Sequence, residues 1–229
     1  MNLLSLADKR ILITGASSGI GKACAELCTK LGAQVIRVSR RDNECDLTRL
    51  EKIGPMIAEV VAQGKLDGLV HAAGVAPMVP LGVIDIKEAK AAFDVNYFAF
   101  LELMKHCTKM KARKPGFSAV AVSSVSSEVG WPGGAVYCGT KGALSATMRA
   151  LALELAPKGI RVNAVCPSNI ATPLHADTLA ASLAKDQPLG LGKPEQVANA
   201  VAFLLSDAAA FITGVNLPVD GGYLLRSTP

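Results

Sequence analysis

The sequence predicts a doubly wound α/β fold, a seven-stranded parallel sheet with helices on both faces. Three observations predict it. Short apolar runs bounded by glycine alternate with longer stretches of helical period along the 229 residues. The first of these units is a strand, a glycine-rich turn and a helix, in that order. Composition agrees: 50% hydrophobic and 19% charged residues with 21 glycines and few aromatics suit a tightly packed α/β enzyme, not a disordered or fibrous chain. The length suits one well-buried core, and no repeat or linker divides it, so residues 1–229 are read as a single domain.

Charge and cysteine usage narrow the class. The net charge of +5 is mild, and the densest basic stretch, Lys105 to Lys114, falls at the end of a predicted helix, where cations suit the dipole. No nucleic-acid partner is expected. Six cysteines are scattered without metal-type spacing, so free thiols in a reducing cytosol and no metal site are expected. Met1 to Lys9 lacks a basic region followed by an apolar core, and no apolar run approaches a membrane span. A cytoplasmic protein without membrane contact is the expectation.

Along the chain, Arg10 to Thr14 reads as a strand that breaks into Gly15-Ala16-Ser17-Ser18-Gly19-Ile20-Gly21, and Lys22 to Leu31 is helical. Amides at the start of that helix suit a pyrophosphate, and the glycines let it approach. Gln34 to Ser39 is the second strand and ends in Arg40-Arg41, 19 residues after Gly21. An arginine and no carboxylate at this place accommodates the extra phosphate of NADP, so NADP(H) is the expected cofactor and NAD(H) the alternative. The other reading of Arg40-Arg41 is a pair of solvated surface arginines.

Only three residues separate Arg41 from Cys45-Asp46-Leu47-Thr48, too few for a crossover helix. Either the third strand follows through a bare loop or the sheet has lost something at that edge. Arg49 to Gly64 is helical with an interruption at Gly54-Pro55, and Gly68 to His71 is the fourth strand, ending at Ala72-Ala73-Gly74, where small residues let a flat ring lie on the backbone. Lys87 to Lys111 is one long helical stretch holding Asn96, and Ser118 to Ser123 is the fifth strand. Ala135 to Ala156 is a helix, Arg161 to Cys166 the sixth strand running into Pro167, and residues 168–192 form an irregular, lid-like stretch. Pro194 to Ser206 is the last long helix and Val215 to Val219 the seventh strand.

The helix from Ala135 carries Tyr137-Cys138-Gly139-Thr140-Lys141. Four residues is little more than one turn, so phenol and ammonium project from one face. A nearby cation favours the phenolate, which lets a group of ordinary pKa about 10 trade protons with an alcohol or carbonyl.

Taken together, the order and spacing of these motifs resemble the short-chain dehydrogenase/reductase family of the classical type, from about Ala7 to Leu224, with a pattern similar to its β-ketoacyl carrier-protein reductases. Thr14 to Gly21 resembles the family's cofactor turn, and His71-Ala72-Ala73-Gly74 its Asn-Asn-Ala-Gly segment with histidine in place of the first asparagine. Ser124 stands thirteen residues before Tyr137, as the family's catalytic serine does. Ser123, Ser126 and Ser127 are its rivals.

The resemblance implies a single-domain Rossmann fold, a homotetramer, and hydride transfer between a nicotinamide and a small ketone or secondary alcohol, 3-oxoacyl compounds among them. It implies that Ser124 binds the substrate oxygen, Tyr137 exchanges the proton, Lys141 lowers the tyrosine pKa and holds the nicotinamide ribose, and Asn96 keeps a water. It also implies that Gly15, Ser17, Ser18, Gly19, Ile20 and Gly21 line the cofactor, Asp46 and Leu47 its adenine, and Ala72, Ala73, Gly74, Pro167, Ile170 and Thr172 its remaining surface. Ser168 departs from the family's Pro-Gly, so the loop there is expected to take a different path, and His175 falls in the lid. The alternatives are an NAD-linked dehydrogenase of a sterol or sugar alcohol, and a dinucleotide-binding, redox-sensing module without turnover. The second is disfavoured because Asn96, Ser124, Tyr137 and Lys141 are all present.

Overall fold

In the computed structural model, residues 3–42, 45–171 and 185–226 are described. Six strands form one parallel sheet: β1 (Arg10–Thr14), β2 (Gln34–Val38), β3 (Leu66–His71), β4 (Arg113–Val122), β5 (Arg161–Pro167) and β6 (Asn216–Val219). Their order is β2-β1-β3-β4-β5-β6, so the chain reverses direction across the sheet between β1 and β3. Ligands of open α/β sheets bind in the crevice at that switch, beyond the carboxyl ends of the strands.

Strand residues alternate between two buried layers. Ile11, Ile13, Val70, Val120 and Val165 face α1 (Gly19–Lys30) and a helix over Pro194–Leu205. Leu12, Leu69, Ala119, Ala121 and Ala164 face α2 (Ile53–Ala62), α4 (Ala99–Cys107) and α5 (Ala135–Leu155), with α3 (Ile86–Phe93) preceding α4 in the chain. Burial on both faces explains why these strands read as continuous apolar runs.

Of the seven expected strands, the third is absent among the described residues. Cys45–Thr48 forms a turn: the Cys45 N–H donates to the Ser39 carbonyl at 3.3 Å, and Asp46 accepts from the Thr48 N–H at 3.0 Å. A further parallel strand needs a crossover of a dozen or more residues, which this segment lacks. Leu47 instead drops its side chain into the core beside Val38 and Ile57. Gly54-Pro55 does not interrupt α2 but lies in its first turn, where a proline's missing N–H costs nothing. The long helix expected over Lys87–Lys111 is divided into α3, a π-helical turn over Asp94–Phe98, and α4, with Asn96 inside the wide turn. Among the described residues no helix is long and apolar enough to cross a membrane.

Candidate active site at the carboxyl edge of the sheet

Helix α5 follows its N-cap Gly134 and carries Tyr137 and Lys141 on successive turns. Lys141 is buried; its Nζ donates to the Val122 carbonyl at 2.8 Å and lies 5.7 Å from the Tyr137 ring centroid. Burial pulls the Lys141 ammonium down to about 8. Burial also holds the Tyr137 phenol above its usual range, while a hydrogen-bonding interaction with Ser124 acts in the opposite direction.

Ser124 caps a 3-10 turn at Val125–Ser127, accepting from the Ser126 N–H at 3.1 Å. Its Oγ is 2.7 Å from Ser126 Oγ and 3.4 Å from the Pro167 carbonyl. Of the rival serines, Ser126 meets Ser124 itself and the other two point elsewhere. Ser123 Oγ meets Ser145 Oγ and the Lys141 carbonyl, and Ser127 Oγ donates back to the Ser124 carbonyl. Ser124 is the one whose hydroxyl interacts with the phenol.

Asn96 is fully buried and its amide is spent on three partners. Its Oδ1 accepts from the Val75 N–H at 2.8 Å, and its Nδ2 donates to the Val75 carbonyl at 2.9 Å and to Thr140 Oγ1 at 3.0 Å. Gly74 marks the meeting point: a Cβ there would stand 3.1 Å from Asn96 Oδ1 and 3.6 Å from Lys141 Nζ. The π-turn is what aims Asn96 inward, and such turns recur at functional sites.

The glycine turn lies next to this cluster. Gly15 has φ +68, and a Cβ on it would stand 2.7 Å from the Ala73 nitrogen; one on Gly21 would overlap the Gly15 carbonyl. These contacts press the turn between β1 and α1 against the Ala72–Gly74 segment. Ser18 takes the N-cap position of α1 with extended backbone and without a side-chain cap, which leaves the first-turn amides around Gly19 and Ile20 uncapped by its hydroxyl. Backbone amides at a helix start beside glycine-lined space fit a dinucleotide diphosphate. Ser17 belongs to this turn, Ile20 and Ala72 pack on the α1 layer, and Ala73 packs on the opposite one.

The remaining sequence candidates scatter around this crevice. Arg40 and Arg41 are exposed just past β2. Asp46 is half-buried, and its carboxyl is held below the usual range chiefly by the Thr48 N–H and hydroxyl, with smaller help from Arg49 and Arg40. Leu47 presents only backbone on this side, since its side chain is in the core. Pro167 closes β5, and Ile170 is buried and bridges Gly192. Ser168 takes no left-handed backbone and donates to the Asp220 carbonyl at 2.9 Å. Thr172 and His175 lie outside the described residues.

Two residues escaped the sequence reading. Arg37, inside β2, donates to the Ala16 carbonyl at 2.9 Å and so ties the strand to the glycine turn. Its signal was an arginine at an inward-alternating position of an otherwise apolar strand. Thr140 anchors Asn96, and nothing in its spacing pointed to that.

With this geometry in place, comparison with known proteins decides the family. A family profile described as enoyl-(acyl carrier protein) reductase matches residues 15–224. A cis-4-hydroxycyclohexanecarboxylate dehydrogenase of Sinomonas cyclohexanicum is 34% identical over 243 residues, covering 96% of this chain and 98% of that protein. The L-xylulose reductase of Mus musculus is 37% identical over 240 residues, with the same coverage. The chain belongs to the short-chain dehydrogenase/reductase family. Like other members it is an oxidoreductase that acts on CH–OH groups with a nicotinamide cofactor. The ligand-free aldohexose dehydrogenase of Thermoplasma acidophilum superimposes with a TM-score of 0.93 at 32% identity, covering 98% of this chain and 97% of that one. The two folds therefore correspond over nearly their whole length, although no third strand is formed at Cys45–Thr48 among the described residues of this chain.

Proposed function

We propose that this reductase interconverts a small ketone and its secondary alcohol with NADP(H), using Ser124, Tyr137, Lys141 and Asn96. The observation that carries the reading is the convergence of Lys141 and Asn96 on Gly74, with Tyr137 beside Lys141 and Ser124 against the phenol. When bound, the dinucleotide supplies or accepts the hydride at the carbonyl carbon. Ser124 and Tyr137 hydrogen-bond the substrate oxygen, whose negative charge grows as hydride arrives, and aligned donors reward that transition state. Tyr137 gives its proton to that oxygen in reduction and takes it back in oxidation. Lys141, held by the Val122 carbonyl with its Nζ 5.7 Å from the phenol ring, carries a positive charge beside the site below about pH 8. Asn96 fixes the Val75 backbone beside the site.

Exposed Arg40 supports the choice of NADP(H): it stands where the adenosine ribose meets the end of β2, and it faces water through which a phosphate can reach it. The substrate oxygen and hydride chemistry are tested by Tyr137→Phe. That variant is expected to bind NADPH normally and lose about 100-fold or more in kcat, the scale of positioned acid-base catalysis. Undiminished ketone reduction by the purified variant defeats the assignment.

A further inference from the structure

Two loops meet beside Ser124 and Tyr137, one from Val75 to Ile84 and the other from Val129 to Val136. They are joined through backbone, the Val79 N–H donating to the Gly133 carbonyl at 2.9 Å. A Cβ on Gly134 would lie 2.8 Å from Trp131 Nε1, so the indole rests against a backbone that only glycine leaves bare. From there the ring reaches both neighbours. Its Nε1–H donates to Met78 Sδ at 3.2 Å, and its centroid stands 6.5 Å from that of Tyr137. Met78 is 55% exposed and Val75 44%, so this wall meets solvent at the mouth of the site.

Neither loop has a side chain that hydrogen-bonds, apart from the Trp131 indole, and its N–H is already given to Met78. A polyhydroxylated substrate entering along this wall would exchange water for hydrocarbon, and each hydroxyl left unpaired loses roughly tenfold in affinity. A hydrocarbon group gains from the same burial, and indole and thioether surfaces suit it.

We propose that Met78 and Trp131 form an apolar subsite beside Tyr137, which selects ketones and secondary alcohols flanked by hydrocarbon over polyhydroxylated ones. This rests on the hydride-transfer reading above and names the substrate class for that site. Trp131 is the only tryptophan of the chain, so its fluorescence reports on the subsite without turnover. Titration of dinucleotide-free and NADPH-loaded protein with cyclohexanol and with xylitol is expected to give half-saturation at least tenfold lower for cyclohexanol. Equal half-saturation, or a tighter response to xylitol, overturns the subsite.

Tyr137→Phe should lose turnover, and whatever binding it loses it should lose for both alcohols alike, keeping the preference for cyclohexanol over xylitol, which separates the two claims. Protein that binds cyclohexanol but reduces no carbonyl refutes the hydride reading and leaves the subsite standing. Protein that reduces erythrulose ahead of cyclohexanone does the reverse. Met78→Gln, an exposed change that adds an amide to the wall, should narrow the cyclohexanol preference at least threefold. An unchanged preference removes Met78 from the subsite.

Discussion

Thr14, His71 and Val95 form a chain of hydrogen bonds across the floor of the site. The Val95 carbonyl only accepts, so His71 Nε2 carries the proton at 3.1 Å, and Nδ1 accepts from the Thr14 hydroxyl at 3.0 Å. Thr14 Oγ1 in turn accepts from the Ala73 N–H at 3.3 Å. Burial first, then the Lys141 charge, pulls the His71 imidazole down to about 3, so the folded protein keeps it neutral. The unfolded chain takes up a proton near pH 6.5 that the folded chain refuses until about pH 3, so stability falls as pH drops through that window. His71→Asn removes this liability. Urea melts of both proteins should show the variant's relative stability rising between pH 6.5 and 4, and parallel pH profiles would contradict the tautomer and its burial. At the other end of the crevice, Arg40→Asp is expected to weaken NADPH at least tenfold and leave NADH unweakened, the loss expected for one charge-assisted hydrogen bond. Equal affinities of the parent protein for both cofactors speak against the phosphate role. The sequence made Tyr137 and Lys141 legible because spacing on a helix translates directly into shared direction, whereas Ser124 stood out from its rivals only through the family resemblance. It left Arg37 and Thr140 hidden because their roles depend on what another element places opposite them.

The wide turn at Asp94–Phe98 is the element on which the site depends most. A regular helix through Asn96 would carry that side chain to another angle, whereas the π-turn is pinned by Asn96 to Val75 on one side and Thr140 on the other. Thr140→Val keeps shape but leaves one buried amide hydrogen of Asn96 without its partner, at a cost of about 1–3 kcal/mol. Denaturant unfolding should show that loss, and kcat should fall with it as the Val75 segment loosens. A variant as stable and active as the parent would mean that Thr140 does not hold the turn. Sequence periodicity could not find this turn, because one extra residue in a helix barely disturbs an apolar face. The reverse holds for the segment after β2. Its shortness was plain in the chain, but only the fold showed that Leu47 fills the core where a strand was expected.

At the scale of the whole molecule, the apolar faces left outward suggest how copies assemble. Phe98, at the end of the π-turn, is 42% exposed and Leu153 on α5 is 81% exposed. We propose a homotetramer in which α4 and α5 pack against those of a neighbour, as the family resemblance implies. Light scattering after gel filtration should then give about four times the 23.7 kDa chain mass, and Leu153→Glu should lower it; a monomeric parent ends the proposal. The sequence by itself determined the α/β layering, the glycine turn and the pairing of Tyr137 with Lys141. These depend on local period and spacing, which the chain carries without help. Tertiary structure alone decided that the sheet has six strands, that Ser124 and not its neighbours meets the phenol, and that Trp131 leans between Met78 and Tyr137. Each of those is settled by which distant segments compete for the same space, and no short stretch of sequence encodes that competition.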